Sequence, residues 1–171
     1  MRKTMLVGVM LIFGTFGVAQ EATKPTLEET TNWIQTTLAS HGNCVESTPK
    51  ALSEKVESLQ FDGCVLKAEV SYLLVSSSPI TMSGSSSATL RLSDIKNIEI
   101  KKVDSHWQIA LSCKENTVKG EKTFRMNGSG KREQFVDSQF QLPCDDEQIT
   151  NRVKTALLHA VELCGKQKEP F

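Results

Sequence analysis

Apolar residues recur along this chain with two different periods, and the change of period marks the change of element. From Asp145 to Cys164 (DDEQITNRVKTALLHAVELC), Ile149, Val153, Ala156, Leu157, Ala160 and Cys164 fall at helical spacing and make one stripe. Asp145 with Gln148 reads as a capping pair, and Gly165 stands where a helix C-terminus favours glycine. A second helix begins at Pro25-Thr26-Leu27-Glu28-Glu29, with Thr26 and Glu29 at capping-box spacing. Its stripe is Leu27, Thr31, Ile34 and Leu38, with Trp33 beside it, and it should end near Ser40, before Gly42.

Between the helices the period is two. The clearest hairpin runs from Lys55 to Phe61, turns at Asp62-Gly63, and returns from Cys64 to Val75. Cys64, Leu66, Ala68, Val70, Tyr72 and Leu74 form one face of the return strand, and Val65, Leu73 and Val75 make the other face apolar too, which suits a central strand. Asn97 to Val103 and His106 to Cys113 form a second hairpin across Asp104-Ser105. Lys122 to Met126 and Lys131 to Phe140 form a third across Asn127-Gly128-Ser129-Gly130; it is the most polar, so it reads as an edge, ended by Pro143. Ala88 to Leu92 is a short strand, followed by a turn at Ser93-Asp94. His41 to Ser53 reads as a loop, and the serine-dominated run Ser76 to Ser87, with Ile80 and Met82 inside it, as a long flexible loop or a flap over a site.

This order predicts an α+β domain: an antiparallel sheet or partly closed barrel of about seven strands, flanked by an N-terminal and a C-terminal helix. The last helix should lie on the sheet as a lid, since its stripe needs an apolar face. Ile34, Leu38, Leu66, Val70, Ile109, Leu111, Val153, Leu157 and Ala160 should form the core. A strand meander closed by a C-terminal helix resembles the pleckstrin-homology-like architecture, an analogy of element order that carries no activity. The closing ALLHAVELCG, Ala156 to Gly165, resembles the ending of uncharacterised secreted bacterial proteins, which imply no activity either.

The first residues change the picture of where the protein works. Arg2 and Lys3 precede the apolar run Met5 to Phe16, and Gly17-Val18-Ala19 offers small residues for a signal peptidase. Residues 1–19 therefore read as a leader and 20–171 as one domain, secreted or periplasmic. An uncleaved anchor is the alternative, but roughly 15 apolar residues fall short of the ~20 that span a bilayer. No later segment is long and apolar enough to be a transmembrane helix. The 171 residues carry 20 basic and 20 acidic side chains, and loss of Arg2 and Lys3 leaves the remainder slightly acidic. That argues against nucleic-acid binding, which needs a concentrated basic face.

All five cysteines, Cys44, Cys64, Cys113, Cys144 and Cys164, follow the leader, where disulfides are permitted. Two bridges and one thiol allow fifteen arrangements. Cys144 with Cys164 is excluded, because a helix between them holds them ~30 Å apart. Cys64 opens the most apolar strand and Cys164 ends the helix stripe, so a bridge between them would clamp lid to sheet. Cys113 with Cys144 is the next pairing, leaving Cys44 as a free or intermolecular thiol. The alternative for Cys64 and Cys164 is a pair of buried thiols acting as small hydrophobes.

Candidate chemistry is sparse. His41 and Cys44 stand three apart, as metal ligands can, but no second ligand pair accompanies them. His159 with Glu162 has the spacing of an acid–base pair, and equally of a histidine flanking the apolar stripe. His106 opens a strand; serine is plentiful, but there is no GxSxG elbow. Asp145, Asp146 and Glu147 suit a helix N-terminus, and the EF-hand pattern is absent. Lys119, Lys122, Arg125, Lys131 and Arg132 make the third hairpin mildly basic, and Asn127-Gly128-Ser129 fits a glycosylation sequon. No catalytic, cofactor or metal site is assigned from this. The functional expectation is a non-catalytic binding or interaction module, with a protein or an apolar small molecule as partner. The alternatives are a carrier holding an apolar ligand between sheet and helix, and a small hydrolase assembled from His41, His106 or His159.

Overall fold

The computed structural model describes residues 24–45, 51–75, 81–126 and 129–166. The proposed leader, Ile80 and the first two sequon residues lie outside these. The N-terminal helix α1 (Leu27–His41) leads through β1 (Asn43–Val45), β2 (Ala51–Asp62), β3 (Val65–Val75) and β4 (Thr81–Arg91) to a single 3-10 turn, Leu92–Asp94. Strands β5 (Ile95–Val103), β6 (His106–Cys113), β7 (Val118–Met126), β8 (Ser129–Asp137) and β9 (Gln139–Cys144) precede α2 (Glu147–Lys166). The fold is α+β, but nine antiparallel strands stand where about seven were expected, and they form two sheets rather than a barrel. One sheet has the order β1-β2-β3-β4-β7-β8 and the other β5-β6-β9. The chain leaves the larger sheet after β4, builds a hairpin of the smaller, returns for β7 and β8, and leaves again for β9.

Local chemistry accounts for most of the element boundaries. Thr26 and Glu29 close a reciprocal capping box at α1, the Thr26 hydroxyl accepting from the Glu29 N–H and the Glu29 carboxylate from the Thr26 N–H. The Asp104-Ser105 turn falls where expected, with Asp104 at φ 49°, whereas the first tight turn is Gly63-Cys64, one residue later than expected, with Gly63 at φ 55°. At α2 the cap is Asp146, not Asp145: its carboxylate accepts the Ile149 N–H at 2.8 Å. Pro143 does not end a hairpin but pairs with Gln108 inside β9. It is tolerated there because β9 is an edge strand of the smaller sheet.

Two expected loops are strands. The His41–Ser53 segment contains β1, paired on β2. The serine-rich run is mostly β4, hydrogen-bonded to β3 on one side and β7 on the other. Small serines cost little in a strand whose backbone is paired on both edges, and tertiary pairing overrides their turn propensity. At Gly84 the packing requires glycine: an added Cβ would lie 2.2 Å from the Thr123 carbonyl and 2.4 Å from the Tyr72 hydroxyl.

The core fills the space between α2 and the sheets. All nine expected core residues are buried, and Ile34, Leu38, Leu66, Ile109, Leu111, Val153, Leu157 and Ala160 are wholly so. Helix α2 lies against α1, the 3-10 turn, β5, β6 and β9, while α1 packs on β2. Cys64 and Cys164 form a disulfide with Cα atoms 5.7 Å apart, tying the head of β3 to the end of α2. The second expected bridge is absent: Cys113 and Cys144 are both buried thiols. They occupy adjacent strands, but the register sets Cys144 opposite Trp107, six residues from Cys113. That is about 20 Å along a strand, well beyond disulfide reach. Cys44 is also a thiol, buried on β1 rather than displayed in a loop for another chain.

Candidate functional site

The densest group of chemically versatile side chains lies where β1 and β2 of the large sheet face β6 of the small one. Cys44 and Glu54 are direct cross-strand partners, so their side chains leave the same face of the sheet. His106 and Gln108 are two apart on β6 and share a face for the same reason of period. The ligand atoms of Cys44, Glu54 and His106 all lie within 4.8 Å of one another. His106 Nε2 is 3.7 Å from Glu54 Oε2. The Gln108 amide nitrogen reaches both, donating to Glu54 Oε2 at 3.1 Å and lying 3.2 Å from His106 Nε2. His106 is 2 % and Cys44 3 % exposed, whereas the Glu54 side chain keeps 22 %.

Backbone crowding places Cys44. Gly42 ends α1 by donating its N–H to the Leu38 carbonyl, and its own carbonyl accepts from Val56 at 2.6 Å. A Cβ there would meet the Leu38 carbonyl at 2.4 Å and Val56 at 2.6 Å. Only glycine lets the chain pass straight from helix to strand with β1 pressed onto β2. His41, one residue earlier, turns outward and meets Asp145 at 3.0 Å, while the Asp145 N–H donates to the His41 carbonyl. This contact ties the end of α1 to the start of α2.

Glu54 also borders a cleft of about 300 Å³ between the large sheet and β9, with Tyr72, Ser86, Lys122, Asp137 and Gln141 around it. The cleft is open, its lining is mixed polar and apolar, and Glu54 is the member of the buried cluster that borders it. A larger groove, about 850 Å³ and mainly apolar, runs outside the core between the two helices along Trp33 and Ala156. Arg152 sits over the Trp33 ring at 5.1 Å.

The other residues singled out in the sequence go elsewhere. His159 Nε2 is 2.9 Å from the Pro25 carbonyl, which accepts from it, so this histidine fastens α2 to the lead-in of α1. Glu162 pairs with Lys166, whose hydrogen bond and charge hold its carboxyl below the usual range. Asp145 meets His41 and Asp146 caps α2, which accounts for two of the three acidic residues there. On the polar hairpin Lys131 pairs with Glu133, Arg132 with Glu121, and Lys122 lies 4.4 Å over the Phe135 ring. The three histidines are not brought together; only His106 joins a cluster.

Cys44, Glu54 and His106 bring sulfur, oxygen and nitrogen ligand atoms within 4.8 Å of one another, a set that suits a borderline-soft divalent metal, and the Gln108 amide lies against two of them. His41 and Cys44 are not brought together: Cys44 faces Glu54 and His106 at the sheet junction, while His41 turns outward to Asp145. Glu54 and Gln108 were not singled out. One signal for them exists: β6 is apolar on its Trp107–Ile109–Leu111 face, yet Ala110 on the other face also suits burial, which would place His106 and Gln108 inside. Among the described residues no helix is long and apolar enough to cross a membrane. No protein-family model, curated protein or solved structure matches the chain.

Proposed function

We propose that this chain is an exported, non-catalytic binding module whose ligand sits where the two sheets meet. The observation that carries this is the convergence of Cys44, Glu54, His106 and Gln108 where the two sheets meet, with Glu54 bordering an open cleft. A general base or nucleophile must come within hydrogen-bond reach of its substrate. The burial of both His106 and Cys44 speaks against that role and for holding something small. The leader-like residues 1–19, the disulfide and the resemblance of Ala156–Gly165 to secreted bacterial proteins support a secreted or periplasmic site of action. A helix laid across a sheet keeps the pleckstrin-homology-like comparison as an analogy of architecture alone.

Native mass spectrometry of the natively purified protein, beside an ester- and peptide-hydrolysis panel, tests this reading. A stoichiometric small adduct without turnover is the expected result. Turnover abolished in His106→Ala would make the protein an enzyme and overturn the reading. An apolar adduct lost on filling the interhelical groove with Ala156→Trp would make it a carrier.

A further inference from the structure

We infer that Cys44, Glu54 and His106 form a binding site for one zinc-class divalent cation, which takes over the contacts that the Gln108 amide makes with Glu54 and His106. This deepens the binding proposal and rests on the junction being the ligand site. Four independent features of the cluster agree.

The first is geometric. Tetrahedral zinc holds sulfur at ~2.3 Å and nitrogen or oxygen at ~2.0–2.2 Å, so its ligand atoms stand roughly 3.3–3.7 Å apart. The observed 3.7 Å between Glu54 Oε2 and His106 Nε2 is within a few tenths of an ångström of the value for an oxygen–nitrogen pair, and the 4.8 Å limit for the set needs a contraction of about 1 Å. The second is charge. A Cys44 thiolate and a Glu54 carboxylate together carry two negative charges, which a divalent cation neutralises in a place where unbalanced charge is costly. The third is the local hydrogen bonding. The Gln108 amide nitrogen lies within hydrogen-bond distance of both Glu54 Oε2 and His106 Nε2, so an ion that displaces this amide meets both ligand atoms at once. The fourth is access and purpose. Glu54 borders the cleft, giving the ion an entry path, and the ion would pin the three-residue edge strand β1 of one sheet to β6 of the other.

Donor chemistry narrows the ion. Calcium and magnesium take six or more oxygens, which this set does not offer. Thiolate, imidazole and carboxylate together suit zinc and its cobalt surrogate. On binding, the Cys44 thiol loses its proton to solvent and its sulfur forms the metal bond; no electron is transferred.

The experiment is titration of chelator-treated protein with Zn²⁺ and with Co²⁺, followed by calorimetry, visible absorption and thermal unfolding. One ion should bind per chain and raise the midpoint of unfolding as its concentration rises above Kd. The cobalt form should show a thiolate-to-metal charge-transfer band together with intense tetrahedral d–d bands. Cys44→Ser should abolish the charge-transfer band, and Glu54→Gln and His106→Ala should each weaken binding about 10-fold or more. If Cys44→Ser fails to fold, the charge-transfer band of the parent protein decides alone. Absence of saturable 1:1 binding, or a cobalt spectrum without thiolate character, overturns the inference. A different adduct on the metal-free protein would leave the binding proposal standing while this site falls. Turnover dependent on His106 would remove the binding proposal whether or not the ion binds.

Discussion

Burial, with the charge of Asp94 adding to it, pushes the Cys113 thiol up to about 11. An unfolded cysteine titrates near 8.5, so the folded state holds this proton more tightly than the unfolded one. Stability is therefore unaffected below pH ~8.5 and declines as pH rises from there towards 11. Cys113→Ala should flatten that part of the urea-midpoint profile relative to the parent protein. Iodoacetamide at pH 8.5 should label Cys113 much more slowly in native than in unfolded protein. Equal labelling in both states would mean that the thiol is not sequestered. Residues whose role depends only on their own element were legible in the same way: Thr26 and Glu29 as a cap, Gly63 in its turn, Leu157 in its stripe. Of the residues whose role depends on a distant partner, Cys64 and Cys164 were legible because each stands at the end of an inward-facing stripe, but those of the junction cluster were not. Cys44, Glu54 and His106 come from three strands in two sheets, and no local period links them.

At the scale of elements, α2 reads directly because its stripe has a single period and a single face to bury. Leu157 is wholly buried at the centre of that face. Leu157→Ala should cost on the order of 2–5 kcal/mol, measured by urea unfolding, since the packed core beneath can relax only in part. A loss under half a kilocalorie per mole would mean that the helix does not cover its sheet. Hairpins with two-residue turns were equally legible, because turn chemistry and alternation agree at Asp104-Ser105 and, to within one residue, at Asp62-Gly63. Strand β4 was not, because serine marks loops by local preference while its place between β3 and β7 is set by pairing. The division into two sheets was also hidden. It depends on β9 leaving β8 to pair with β6, and the run Lys131 to Phe140 reads as one strand although the chain changes sheet at Ser138 within it.

At the scale of the whole molecule, the two sheets are held by a helix rather than by continuous pairing. Helix α2 covers the small sheet, while its last turn reaches back to the large one through Cys164 and Cys64. The bridge closes a loop with a sequence separation of 100 residues, so it joins the turn between β2 and β3 to the end of α2. Between these points lie β3 to β9 and nearly all of α2. A cross-link of that span removes many conformations from the unfolded chain and should stabilise the fold by roughly 4–5 kcal/mol in the chain-entropy account. Cys64→Ser with Cys164→Ser together should lose most of that, with the urea midpoint falling and the far-ultraviolet spectrum of the folded baseline unchanged. Reduction of the parent protein should have the same effect, and should add nothing in the double variant, because the buried thiols Cys44, Cys113 and Cys144 have no bridge to lose. Peptide mapping without reduction supplies the direct check: alkylation of both Cys64 and Cys164 in native protein would show that the clamp does not form. A double variant as stable as the parent, with the bridge mapped, would mean instead that packing of Leu157 and its neighbours alone holds the lid.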